Sequence, residues 1–399
     1  MPRPRLEIEP LLADPFGTLN RTRAAGSIAD TETGMVAVLT HERVRELLAD
    51  GRLHENFPDF LRTFGIESGP FFEWMATSPL NRDGADHQRW RALMSKTFTP
   101  RSVERLRPYL RDAAHELIDT FAARGGCEFV AEYADAYPSL GLCELIGVPQ
   151  DDRERFRSWA NTIGLGFSPV SVASRITEVD EALTQLVAYT GELAATRRLD
   201  PRDDLVTRIS QAAQEDGWSD FEAQGFIAGL VFAGHETTKN QLGWMMAVLA
   251  ERPDLWNAVA SGQTTVADVV EETIRYRSAV TVVGRTVAEP VEVDGETLAP
   301  GTRVILSLWS AAHDETVFPK PETMAPVENG ATPHLSFGHG AHFCLGAALA
   351  RAELQESLAA LTARLECPAL APGAVWKPPV GINGPEQLPI TFRARANAR

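Results

Sequence analysis

The spacing of apolar residues along the chain predicts a mainly helical protein. Apolar side chains recur every three or four positions, the spacing that lines one face of an α-helix, in residues 103–124, 151–160, 176–198, 219–251, 265–276 and 345–365. The longest segment has clear ends, because Ser219 and Glu222 form a capping box and Pro253 follows its last turn. Its centre is apolar almost all round, which predicts a helix that runs through the core.

A smaller β component is predicted where β-branched runs lie between turns. These runs are residues 280–287, 291–293 and 303–308, and the turns include Asp294-Gly295 and Pro300-Gly301. A shorter strand pair is expected at residues 27–28 and 35–39. The predicted fold class is therefore mainly α with a minor β-sheet region.

Composition places the chain among globular proteins. Its 399 residues are 44% hydrophobic and 23% charged, and we interpret residues 1–399 as one domain. A net charge of −16 disfavours general binding to nucleic acid or to anionic membranes. The N-terminus has no apolar run, and no stretch is apolar for long enough to span a bilayer. The four cysteines are widely spaced, which favours reduced thiols and a cytoplasmic location.

The most informative segment runs from Phe337 to Gly346 and contains Cys344. Gly338 and Gly340 can adopt positive φ, and Cys344 precedes a predicted helix whose N-terminal amides would stabilise a thiolate. Gly346 leaves room beside the sulfur for a flat group, and Phe337 could shield it. These features favour a haem-thiolate ligand. A buried free cysteine, or zinc bound by Cys344 with His339 and His342, remains an alternative.

Other polar positions have ordinary explanations when taken singly. Glu272 and Arg275 share a helix face, as do His87 and Arg91, but such pairs are common on protein surfaces. The sequence Ala233-Gly234-His235-Glu236-Thr237-Thr238 interrupts the apolar helix and could be a satisfied kink, since threonine hydroxyls bond to carbonyls one turn earlier. It is not a zinc-protease motif, because residue 239 is lysine.

Together these motifs resemble the cytochrome P450 family, from roughly Asp30 to the C-terminus and in the family's order. The segment at Cys344 is similar to the haem-binding signature Phe-Gly-x-Gly-x-x-x-Cys-x-Gly. The resemblance implies the P450 fold, with haem b (iron protoporphyrin IX) between the long central helix and the helix after the Cys344 loop. It implies that Cys344 ligates the iron. It also implies that the haem is contacted by His87, Arg91, Ala233, Gly234, Arg285, Phe337, Gly338, His342 and Gly346.

Within this group, His87, Arg91, Arg285 and His342 are expected to reach the haem propionates, where cations pair with carboxylates. Glu272 and Arg275 resemble the buried pair that braces the family's core. The family usually adds a second arginine before the Cys344 loop, but this chain has Asn329 at about that position.

The resemblance also implies the roles of the motif in the central helix. Thr237 would donate a hydrogen bond to dioxygen, Glu236 would relay protons from solvent, and Gly234 would leave room for dioxygen. The substrate pocket is expected to include Phe72, Val280, Val283 and Ile382. Their apolar character indicates a small, largely apolar organic substrate.

Residues 82–111, the basic stretch, contain eight basic and three acidic residues, a net +5 in an acidic protein. The stretch is either a solvated helix face or, as the resemblance implies, the docking surface for a ferredoxin-type electron donor. The leading hypothesis is a monooxygenase that hydroxylates its substrate with electrons from NAD(P)H through ferredoxin reductase and ferredoxin. O- or N-dealkylation, desaturation or oxidative aromatic coupling on the same fold is the alternative. A haem sensor or carrier without turnover would not need the acid–alcohol pair.

Overall fold

A computed structural model describes residues 3–97, 99–215, 217–330 and 332–395, and it is mainly helical with small sheets. This confirms the predicted fold class. The helices are α1 (Ile8–Ala13), α2 (Pro15–Ala25), α3 (His41–Ala49), α4 (Phe57–Arg62), α5 (Pro70–Thr77), α6 (Gly84–Thr97), α7 (Pro100–Phe121), α8 (Ala136–Ile146), α9 (Arg153–Gly164), α10 (Val172–Leu199), α11 (Leu205–Glu215), α12 (Asp220–Ala250), α13 (Pro253–Ala260), α14 (Val266–Tyr276), α15 (Leu308–Ala312), α16 (Pro326–Asn329) and α17 (Ala347–Arg364).

The strands form one larger sheet and several small ones. They are β1 (Arg5–Leu6), β2 (Ile28–Thr31), β3 (Val36–Val38), β4 (Leu53–His54), β5 (Gly126–Glu128), β6 (Val282–Val287), β7 (Val291–Val293), β8 (Glu296–Leu298), β9 (Arg303–Ser307), β10 (Leu365–Leu370), β11 (Val375–Trp376), β12 (Pro385–Gln387) and β13 (Pro389–Ala394). The six-stranded sheet has the order β1-β2-β3-β9-β6-β4, and β10-β13-β5 form a three-stranded sheet. Two hairpins, β7-β8 and β11-β12, complete the β structure of the described residues.

The long helix α12 is the central element of the helical core. The predicted capping box is present, since the Ser219 hydroxyl accepts from the Glu222 amide at 3.2 Å and Glu222 accepts from the Ser219 amide at 3.0 Å. α12 packs against α8, α9, α10, α14 and α17, so most of its side chains are buried. α17 packs against α7 and α14 as well. This arrangement places the loop before α17 next to the core.

Several elements differ from the sequence expectations. The helix predicted at residues 345–365 begins at Ala347, because Leu345 and Gly346 form a turn before it. The strand predicted at 280–287 begins at Val282, since Val280 instead makes an isolated bridge to Ile382. The patterns of α6, α8 and α11, and of the C-terminal strands, were not recognised as separate elements. In the described ranges, no helix is long and apolar enough to cross a membrane.

Candidate active site

The loop that carries Cys344 is a tight structure built on two glycines. Gly338 and Gly340 both have a φ of +74°, and a Cβ on Gly340 would lie 2.8 Å from the Ala49 Cα of α3. The Cys344 amide donates to the Phe337 carbonyl at 2.8 Å, which closes the loop. A Cβ on Gly346 would lie 4.0 Å from the Cys344 sulfur. The loop therefore fixes the cysteine and leaves space at its side.

The surroundings of Cys344 act on its thiol in opposite directions. Burial raises the pKa of Cys344, whereas the amides of Gly346 and Ala347 and the cations Arg91 and Arg351 oppose this rise. Burial prevails, so the amides before α17 do not by themselves yield a thiolate. A bound cation would be needed to stabilise it, as expected of a metal ligand.

Helix α14 holds the Cys344 loop in place. The Ser336 hydroxyl donates to the Ile274 carbonyl at 3.0 Å. Glu271 accepts two bonds from Arg351 of α17, at 2.6 and 2.9 Å, and the Arg351 guanidinium lies 4.5 Å from the centre of the Phe337 ring. The loop is thus bound to the helices on both sides, and Phe337 is packed beneath a cation.

The pair Glu272–Arg275 lies next to this loop and is almost fully buried. Its two hydrogen bonds are both 2.8 Å long, and Arg275 also donates to the carbonyls of Ala312, Pro321 and Thr323. The position of the usual second arginine is filled by Asn329, whose amide donates to Glu272 at 2.9 Å. The Asn329 amide also bonds to Lys320 in both directions. A neutral amide thus completes the brace in this chain.

One face of α12 borders open space although the helix lies in the core. Leu230, Ala233, Gly234 and Thr237 recur at helical spacing, and Ala233 is exposed while the others are half-buried. The Thr237 hydroxyl donates to the Ala233 carbonyl at 2.7 Å, and the helix continues through this point without a break. These residues line a face where a flat group could lie.

Glu236 points away from that face into a buried polar group. Its carboxylate lies 2.5 Å from the amines of both Lys239 and Lys377, and Asn240 donates to it at 2.9 Å. Burial would raise the pKa of Glu236, but the two lysines outweigh burial and lower the pKa to about 2. Glu236 is therefore ionised at neutral pH. The ion pair with Lys377 also joins α12 to the C-terminal loop, a contact that the sequence did not indicate.

The residues expected at the haem propionates meet in one place, here called the cationic cluster (His87, Arg91, Arg285 and His342). The rings of His87 and His342 are 4.0 Å apart between centroids. Arg91 is close enough for its charge to lower the pKa of His87, in addition to burial. Arg285 and His342 are linked through the carboxylate of Glu55.

The sequence did not indicate two acidic residues that contact the cationic cluster. Glu55 binds both terminal nitrogens of Arg285, at 2.7 and 2.8 Å, and Asp83 lies 3.1 Å from His342. Both ring nitrogens of His342 face these carboxylates, so His342 is not free to share a zinc ion with Cys344. Asp83 could have been noticed because it precedes His87 by one helical turn, whereas nothing near Glu55 in sequence marks it.

The expected pocket residues lie on several elements. Val280 and Ile382 are paired in a β-bridge, and Val283 lies on the same face of β6 as Arg285. Phe72 lies on α5 under the guanidinium of Arg62, 5.1 Å from its ring centre. Phe72 and Ile382 both pack against the main hydrophobic core. All four residues thus remain candidates for substrate contact.

The basic stretch is less positive in three dimensions than in sequence. Acidic residues from other elements pair with it: Asp203 lies 3.5 Å from Arg105, Glu222 lies 3.7 Å from Arg82, and Glu356 binds both Arg107 and Arg111. Arg101 is exposed. Lys96, which also belongs to the stretch, lies outside the residues whose side chains the structure describes.

Comparison with known proteins identifies the family. The family model for cytochrome P450 matches residues 172–369. Mycinamicin IV hydroxylase/epoxidase of Micromonospora griseorubida is 34% identical over 391 residues, with 96% of each chain covered. Luteothin monooxygenase of Streptomyces thioluteus is 32% identical, covering 90% of this chain and 88% of that protein. The solved complex of P450BioI with acyl carrier protein ligated by hexadec-9Z-enoic acid gives a TM-score of 0.88 at 28% identity, covering 96% of this chain and 100% of that chain.

The fold and the similarity define a haem-iron oxidoreductase. The chain belongs to the cytochrome P450 family and is a monooxygenase, as the resemblance predicted, and the two relatives named above are bacterial. The residues present fit the haem that the family implies. Cys344 has free space beside its sulfur, the open face of α12 can border a flat ring, and the cationic cluster offers partners for carboxylates.

Proposed function

We propose that this chain is a haem b monooxygenase that inserts one oxygen atom from dioxygen into a small, largely apolar organic substrate. The observation that carries the proposal is a cysteine fixed in a glycine-built loop before α17, in a fold whose core helix also has an open, threonine-bearing face. When bound, the haem iron supplies the activation of dioxygen. Cys344 would ligate the iron, with Phe337, Gly338 and Gly346 shaping the space around it.

The residues of α12 would supply protons and leave space for dioxygen on the side of the haem away from Cys344. Ala233 and Gly234 leave space on the helix, and the Thr237 hydroxyl can donate a hydrogen bond once it releases the Ala233 carbonyl. Glu236 is held ionised by its lysines, so it would accept a proton from solvent before it could pass one on. Phe72, Val280, Val283 and Ile382 would contact the substrate.

Electron supply forms the second part of the proposal. A ferredoxin-type donor would dock on the basic stretch, where Arg101 and Arg105 are both exposed. Because Asp203 already lies near Arg105, the attraction should be modest and sensitive to salt.

The expectations of a single domain, a cytoplasmic location, and no nucleic-acid or membrane partner rest on the sequence and remain predictions.

The ligand assignment is tested by Cys344→Ser. The unmodified protein, reduced and treated with carbon monoxide, should show the far-red Soret band of a thiolate-ligated haem, and the variant should lose it. Cys143→Ser is the matched control, since Cys143 is a buried free thiol elsewhere in the core. Persistence of the band in Cys344→Ser would contradict the assignment.

The proposed role of Thr237 is tested by Thr237→Ala, with a compound chosen because it shifts the haem to high spin. We expect NAD(P)H consumption to continue while product falls and peroxide rises, because proton delivery is impaired. Thr184→Ala removes the same kind of hydroxyl-to-carbonyl bond on the exposed side of α10 and should leave coupling unchanged. Product analysis in the same assay distinguishes hydroxylation from dealkylation, desaturation or coupling.

The docking proposal is tested by the double variant Arg101→Gln/Arg105→Gln. Reduction by a ferredoxin should slow at low salt, and the difference from the unmodified protein should shrink as salt rises. Arg175→Gln, an exposed change on α10, is the control. Equal reduction rates at low salt would rule out this face as the docking site.

A further inference from the structure

The cationic cluster contains a carboxylate that the family resemblance does not account for. The register of the larger sheet pairs Leu53 with Val287 and His54 with Thr286, so the next residue, Glu55, comes beside Arg285. The Glu55 carboxylate then binds both terminal nitrogens of the Arg285 guanidinium, at 2.7 and 2.8 Å. This is the two-point geometry with which arginine recognises a carboxylate.

Glu55 is fixed in this position by further contacts. Its amide donates to Asp83 at 3.1 Å, and its carboxylate lies 3.5 Å from His342. Its side chain is only 16% exposed and that of Arg285 is 5% exposed. The contact is therefore a built feature of the site rather than a surface ion pair.

The balance of charge in the cluster when Glu55 is ionised follows from these contacts. Arg91 and Arg285 contribute positive charge, and Glu55 and Asp83 contribute as much negative charge. A haem with two ionised propionates would thus meet cations that are already balanced by resident carboxylates. Because like charges repel strongly in a partly buried site, one carboxylate must lose its charge or its partner.

We propose that Glu55 competes with a haem propionate for Arg285 and thereby weakens the hold of this protein on its haem. The proposal rests on the haem site proposed above. Glu55 is the competitor, rather than Asp83, because Glu55 alone of the two occupies the guanidinium. Burial raises the pKa of Glu55 to about 7, with Asp83 adding to the rise and Arg285 opposing it, so Glu55 is easily neutralised when another carboxylate arrives.

The test is the release of haem from the loaded protein to an excess of apomyoglobin, followed at the Soret band. It compares the unmodified chain with Glu55→Gln, each loaded with hemin or with hemin dimethyl ester, whose propionates carry no charge. We expect Glu55→Gln to release hemin at least about threefold more slowly and to release the diester at an unchanged rate. Glu315→Gln is the matched control, since it also removes a carboxylate from a buried arginine, Arg23, at a distance from the site.

Two results of the haem-release assay would contradict the proposed role of Glu55. If Glu55→Gln releases hemin as fast as the unmodified chain or faster, or changes both porphyrins alike, the proposal is wrong. If Glu55→Gln does not fold, the unmodified chain still decides, because balanced charge predicts that hemin is retained less than about tenfold longer than its diester. A stronger preference for hemin would overturn the proposal. The thiolate band with carbon monoxide, recorded on the same samples, tests the haem-thiolate assignment separately.

Discussion

Two buried glutamate–arginine pairs in this protein have hydrogen bonds of nearly the same length and different surroundings. Glu272 and Arg275 lie three residues apart on α14, and Glu55 and Arg285 come from chain segments 230 residues apart. Both pairs have two hydrogen bonds of about 2.8 Å. Arg275 uses its Nε and one terminal nitrogen, whereas Arg285 uses both terminal nitrogens. The lengths of the bonds alone therefore do not indicate what each pair does.

The two pairs differ in the residues that surround them. Around Glu272 and Arg275, carbonyl groups, the Ala325 amide and Asn329 supply further bonds, so the pair is satisfied within the protein. Around Glu55 and Arg285 lie Asp83, His87 and His342, whose charges and ring nitrogens compete for partners. The Glu272–Arg275 pair, whose hydrogen bonds are all made within the protein, braces the fold. The Glu55–Arg285 pair has further charged groups around it, as we expect of a site where a charged ligand competes for the same partners.

Removing the arginine from each pair should give the largest contrast. Arg275→Leu leaves the Glu272 charge buried without its main partner, and we expect a loss of about 3–5 kcal/mol in the free energy of unfolding. Arg285→Leu should cost no more than about 2 kcal/mol, because Glu55 can take up a proton at neutral pH. Urea unfolding at pH 7 measures both, and equal losses would contradict the distinction.

The second-largest effect should be the contribution of Glu55 to the pH dependence of the free energy of unfolding. Its pKa is about 7 in the folded protein and ordinarily 4.5, so between these values the folded state binds more protons than the unfolded state. The contribution of Glu55 to stability should therefore fall as pH rises from about 4.5 to about 7, by up to about 3 kcal/mol. Glu55→Gln should remove this dependence, and Glu315→Gln should retain it. Parallel pH profiles for Glu55→Gln and the unmodified chain would refute the assignment.

The smallest expected effect tests how the brace works without a second arginine. Asn329→Ala removes one of the bonds to Glu272 and should lower the free energy of unfolding by about 1–2 kcal/mol. Val327→Ala lies in the same short helix α16 but is 82% exposed, so it should have little effect. If the two variants unfold alike, Asn329 does not contribute to the brace.

Local patterns predicted much of the fold and the centre of the site. The capping box and the apolar run fixed the start and course of α12, and the glycines around Cys344 predicted its tight loop. The beginning of α17 was placed two residues early, because the spacing of apolar residues does not distinguish the turn at Leu345 and Gly346 from the first turn of the helix. The α6, α8 and α11 patterns were too weakly amphipathic or too closely spaced to be separated.

Partners distant in sequence could not be predicted in the same way. Thr237 and Glu236 were recognised as polar positions in an apolar helix, but Lys377, which together with Lys239 keeps Glu236 ionised, is 141 residues away. The absence of a second arginine was visible at Asn329, yet its bonds to Glu272 and Lys320 depend on how α14 and α16 meet. The acidic residues that neutralise the basic stretch likewise come from other helices.

The sequence by itself determined the helical class, the glycine-bounded cysteine and, through resemblance, the family and the residues expected around its haem. These features depend on contacts between residues close in sequence or on a fixed spacing of motifs. Only the tertiary structure decided which charges face one another, because that depends on strand register and helix packing. The register of β4 against β6 brings Glu55 to Arg285 and thus makes the cationic cluster electrically balanced.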